Sequence, residues 1–215
     1  LLIGSRLLIA IVAATPLLAS CTTAYYRALE TVGIEKRDIL VDRVEEARDS
    51  QTDAKEQFTS ALDRYRSVVN VDGGDLEQVY DRLAAEFERS EARALAVEER
   101  VAAVEAVAED LFAEWEDEIG EYSDAGLRRQ SQKLLTDTRT DYRRLIAAMR
   151  RAEAAIDPVL TLFRDQVLFL RHNLNARAIG SLETELADIE RATANLIAEM
   201  ERSIAEASRF IEALA

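Results

Sequence analysis

The chain predicts an all-α fold, an elongated antiparallel, coiled-coil-like helical bundle of four to five helices. Two observations exclude much else: 215 residues carry only two prolines and seven glycines, and strong helix formers dominate the composition. The third is decisive, because apolar side chains recur at alternating gaps of three and four over several segments, the signature of heptad seams.

The first helix carries such a seam from Leu40 through Val44, Gln51, Phe58 and Tyr65 to Val68, without a slip. Asp72-Gly73-Gly74-Asp75 then forms a tight loop, and Asp75 with Gln78 three residues on has the form of a capping pair. A second seam runs from Leu76 through Leu83, Val97 and Leu111 to Trp115. A helix over residues 75–118 is on the order of 60 Å long at 1.5 Å per residue. Between Gly120 and Gly126, Ser123 and Asp124 are candidate caps for the third helix, whose seam runs from Leu135 through Tyr142 and Met149 to Ile156. Asp157-Pro158 fits an N-cap with proline in the first turn, and Gly180-Ser181 offers a last boundary before the seam from Leu182 to Leu214. Short connections make successive helices antiparallel.

Residues 1–20 follow a different rule. Arg6, the apolar stretch from Leu7 to Ala14, the Thr15-Pro16 break and small residues before the only cysteine have the layout of a signal peptide. The apolar run is shorter than the roughly 20 residues a membrane span needs. A single thiol in an exported chain has no internal disulfide partner, and Leu18-Ala19-Ser20-Cys21 resembles the cleavage and acylation site of bacterial lipoproteins. On that likeness Cys21 is the lipidation site, carrying fatty acyl chains such as palmitate, and Thr22 after it points to the outer membrane, facing the periplasm. The expected organisation is a signal peptide over 1–20, an acylated tether over 21–35 and a helical bundle over 36–215.

Chemistry is scarce. The formal charge is −14, or −15 once Arg6 is removed, which disfavours nucleic acid and anionic lipid headgroups as partners. His172 is the only histidine, and no spacing of His, Cys or carboxylates matches a metal site. Glu114, Glu116, Asp117 and Glu118 surround Trp115, but helical spacing spreads them around a cylinder as a solvated acidic face. No phosphate loop, nucleophile elbow or dinucleotide fingerprint is present, so the chain reads as a non-enzyme with no catalytic residues, cofactor or metal.

The helix from Pro158 to about Leu174 departs from its neighbours. Val159, Leu160, Leu162, Phe163, Val167, Leu168, Phe169 and Leu170 wrap most of its circumference, so it is either core or a contact surface. Phe163, Val167, Leu170, Arg171, His172, Asn173 and Asn175 form the candidate interaction surface. His172 closes an apolar run among polar residues, and its plainest role is at a helix end whose side chains satisfy backbone carbonyls. Two readings of function follow: a structural or protein-interaction component of the envelope, with an envelope protein or a second copy as partner, or a binding module holding a lipid or small apolar ligand near residues 158–174.

Several short motifs carry a family likeness. Cys21-Thr22-Thr23-Ala24-Tyr25-Tyr26, the run from Gly33 to Val44, Gly73-Gly74-Asp75-Leu76-Glu77, Leu111-Phe112-Ala113-Glu114-Trp115, Pro158-Val159-Leu160 and His172-Asn173-Leu174-Asn175-Ala176 together resemble bacterial lipoproteins grouped as domain of unknown function 2959. The likeness covers essentially all of the chain after the signal. It implies a helical envelope lipoprotein with no assigned activity and no site residues to carry over. Gly180 departs from the helix-compatible residue expected there.

Overall fold

Heptad seams dictate long rods, and the computed structural model, which describes residues 36–69, 76–173 and 176–214, is built from them. Helices α1 (Lys36–Val69), α2 (Leu76–Glu121), α3 (Ala125–Ala154), α4 (Ile156–His172) and α5 (Ala176–Leu214) follow in order, and no strand occurs among the described residues. They make one compact unit over residues 36–215. Among the described residues no helix is long and apolar enough to cross a membrane.

The five pieces form four rods, because α3 and α4 are successive halves of one. Cross-bridges to α2 demonstrate it: Arg139 pairs with Glu116, Arg150 with Glu105 and Arg164 with Glu91. Each step of eleven and then fourteen residues up α3 and α4 matches an equal step down α2. The break at Ala155 therefore does not reverse the chain. Its cause is Pro158, which has no N–H to offer the Ala154 carbonyl and whose ring crowds that oxygen. Asp157 is not the N-cap; Ala155 is, in right-handed helical conformation and with no side-chain cap bond.

Two further boundaries can be compared with expectation. Asp124 is the N-cap of α3, extended at φ −79° and ψ 120°, and its carboxylate accepts from the Leu127 N–H at 2.7 Å. A Cβ on Gly126 would come within 2.9 Å of that oxygen, which explains the glycine. Gly180, by contrast, lies inside α5, so the last boundary falls earlier, between His172 and Ala176. The Asp72-Gly73-Gly74-Asp75 loop lies outside the described residues.

Burial follows the seams closely. Every α1 seam residue from Leu40 to Val68 is buried, as are Leu182, Ile189, Leu196, Met200 and Phe210 of α5. The second helix is wider than its seam: Val79, Glu86, Val107, Phe112 and Ile119 are buried too, because α2 packs on α1, α3 and α4. Phe112 meets Tyr142 edge-on at 5.4 Å between ring centroids, with the Arg139 guanidinium 5.2 Å from the Phe112 ring. Removing such side chains from water supplies the folding drive, roughly 1.5–3 kcal/mol for each large aliphatic or aromatic one.

Candidate functional site

Phase decides which part of α4 is available. Ile156, Val159, Leu160, Phe163, Gln166 and Leu170 recur at helical spacing and are buried, with Phe163 6.1 Å from the Tyr65 ring. The Tyr65 hydroxyl donates to the Leu182 carbonyl at 2.9 Å, tying α1 to α5 beside α4, and burial pushes its pKa upward. Phe163 and Leu170 are thus core, which corrects their place in the candidate surface. Val167 is half-buried, whereas Arg171 and His172 are exposed. The exposed apolar groups are Leu168 (49 %) and Phe169 (39 %). Both stand in the apolar run, and phasing the helix on Phe163 and Leu170 was the signal that points them outward.

Polar groups close the end of α4. Asn173 is half-buried; its backbone N–H donates to the Leu170 carbonyl at 3.1 Å and its Nδ2 to the Phe169 carbonyl at 2.9 Å. These bonds satisfy carbonyls that a helix terminus otherwise strands. Asn175 lies outside the described residues, as does Cys21.

Beside α4 sits the most polar part of the core. Glu86 is buried, yet its carboxylate is 2.7 Å from the Arg89 guanidinium, 3.9 Å from Arg64, and accepts from Gln57 Nε2 at 2.8 Å. A carboxylate so paired is a structural anion, without the desolvated isolation an acid catalyst needs. The cavity bordered by Tyr65, Glu86, Phe87, Phe163, Gln166 and Val167 measures about 10 Å³, room for roughly one water. That space cannot take an acyl chain. Gln51 is fully buried on the α1 seam with both amide atoms unpartnered among the described residues.

The acidic residues around Trp115 are dispersed rather than convergent. Glu114 pairs with Lys36 at 2.9 Å and Glu116 with Arg139, while the Trp115 indole N–H donates to Ser131 Oγ at 2.9 Å. The hydrogen bond from Arg139 holds the Glu116 carboxyl below the usual carboxylate range. Among the described residues no group of three His, Cys, Asp or Glu is placed to hold a metal ion.

Comparison with known proteins gives a family and no activity. The family model described as protein of unknown function, DUF2959, matches residues 25–214. No curated protein matches the chain.

Proposed function

We propose, for a chain that belongs to the DUF2959 family and inherits no assigned activity from it, that it is a lipid-anchored helical rod on the periplasmic face of the outer membrane, acting as a structural or protein-interaction component of the envelope. The observation that carries the reading is the lone Cys21 after Leu18-Ala19-Ser20 and an apolar leader. The family match begins at residue 25, just beyond that cysteine, which supports a division between leader and functional part. Two or more acyl chains, at about 0.8 kcal/mol per buried methylene, make a lasting anchor.

An interaction role is also supported by where the apolar side chains are left exposed. Leu168 and Phe169 belong to the end of the bundle at which Tyr65 of α1 meets Leu182 of α5. Lys36, where the tether joins, begins α1 at the other end. A helix of 34 residues separates the two ends by about 50 Å, so a partner held at Phe169 stands well away from Lys36.

The test is labelling in cells with a clickable fatty acid, followed by membrane fractionation. Label on the wild type, none on Cys21→Ala, and recovery of the wild type with outer membrane are the expected results. An unlabelled wild-type chain in the soluble fraction overturns the anchor. Photo-crosslinking from position 169 reads the interaction role separately, through a defined adduct absent when the probe sits at buried position 163.

A further inference from the structure

The charge of this chain is unevenly shared. α2 holds fifteen Asp and Glu against four Arg, a net of −11, whereas α3 holds eight Lys and Arg against three acids, a net of +5. No other helix among the described residues is positive: α1 carries −1, α4 zero and α5 −4, with His172 neutral. The two helices of opposite sign lie side by side and antiparallel, joined by Arg139–Glu116 and Arg150–Glu105. Those bridges leave most of the excess unmatched. Glu88, Glu99 and Glu109 on α2, and Arg129 and Arg143 on α3, are exposed and make no ion pair among the described residues.

Their positions on the helices matter as much as their number. Glu88, Leu95, Glu99 and Glu109 recur on the side of α2 away from its buried seam, and Arg129, Lys133 and Arg143 do so on α3, Lys133 also pairing with Asp137. On the register of the bridges Glu109 is level with α3, while Glu88, Leu95 and Glu99 are level with α4. Leu95 is 55 % exposed among the acids. Leu168 lies on the same side of α4, one turn beyond Arg164, which reaches across to Glu91 of α2. One broad face of the unit is therefore acidic along α2 and, beside residues 101–121 of α2, basic along α3.

We infer that this face pairs with the same face of a second copy, about a two-fold axis running along the rods. Such an axis lays residues 101–121 of α2 in one copy over α3 of the other, acid against base on both sides at once, as an isologous contact requires. The bridges at Glu116 and Glu105 place Arg143 level with residue 112 of α2, so Arg143 of one copy falls between Glu109 and Glu116 of the other. Two rods overlapping for roughly 50 Å, about 20 Å wide, offer on the order of 1,000 Å² a side, enough for a specific dimer. A net charge of −14 per chain repels copies in other orientations, since a basic rod is needed opposite α2. The same axis keeps both Lys36 ends together.

The inference rests on the chain being an interaction component, and the test can fail independently of anchoring. Sedimentation equilibrium of the full chain in density-matched detergent is expected to give twice the chain mass, in wild type and in Cys21→Ala alike. Arg143→Glu and Glu109→Arg should each weaken dimerisation at least tenfold, and Arg143→Glu with Glu109→Arg should restore it, since the swap rebuilds the pairing. Raising salt from 0.1 to 1 M should loosen the wild-type dimer. A monomer at 100 μM overturns the inference, as does a dimer indifferent to both charge reversals. Acyl labelling reads the anchor independently of either result.

Discussion

α3 and α4 occupy the same rod, yet their sequences solve different problems. α3 is polar and basic, with a narrow apolar stripe in which Leu135, Leu145 and Met149 are fully buried, and Asp124 secures its start. α4 is apolar on several sides, has no side-chain cap, and buries a single face centred on Phe163. Excess hydrophobicity in α4 did not widen its burial; it left Leu168 and Phe169 in water. Burial is set by how many neighbours a rod has, and both halves touch α2 and α5.

The comparison can be broken most decisively at its apolar centre. Phe163→Ala should cost about 3–5 kcal/mol, the range for truncating a buried aromatic, measured as a fall in the urea midpoint with an unchanged slope. A loss under 1 kcal/mol would show that α4 is loosely applied and not core. Next in size, Asp124→Ala should cost about 1 kcal/mol by removing the N-cap of α3, with amide exchange rising first at residues 126–128. Ala155→Ser should change little, because α4 begins as a continuation of α3 with Ala155 already helical.

A smaller effect concerns the link between α2 and α3. Arg139 lowers the Glu116 pKa, so the folded state binds that proton more weakly than the unfolded chain. Its contribution is present above the ordinary carboxylate pKa and is lost as pH falls through the lowered folded value. Thermal melts of Glu116→Gln should therefore match wild type more closely at pH 3 than at pH 7. Smallest of all, Leu168→Ser should leave stability within about 0.5 kcal/mol. A drop of 2 kcal/mol would mean that this side chain is packed.

Much of the fold was legible because heptad periodicity reports burial directly. The α1 seam succeeded even at Gln51, a polar residue that the spacing alone assigned inward. The failures have local physical causes. Pro158 looked like the start of a new helix after a turn, but a proline three positions into α4 only interrupts hydrogen bonding, and the bridges to α2 keep the rod running in one direction. Gly180 looked like a boundary, but nothing lies within 4 Å of where its Cβ would be, and α5 passes through it. On the candidate surface, composition identified a greasy helix, while only its phase could separate Phe163 and Leu170 from Leu168 and Phe169. The acids around Trp115 were read as spread out, and Glu114 and Glu116 do turn to different helices, α1 and α3. The opposed signs of α2 and α3 were visible in the residue order, yet meant little until the two were known to be neighbours.

Repetition carries a hazard that a short connection removes. Seams that recur every seven residues would fit almost as well after one rod slid past another by a heptad, and exposed ion pairs re-form cheaply after such a slip. Only residues 122–124 separate α2 from α3, too short a link to absorb the roughly 10 Å that a heptad of helix spans. That link acts as a dowel in a jointed frame, holding α2 and α3 to one alignment of otherwise interchangeable rungs.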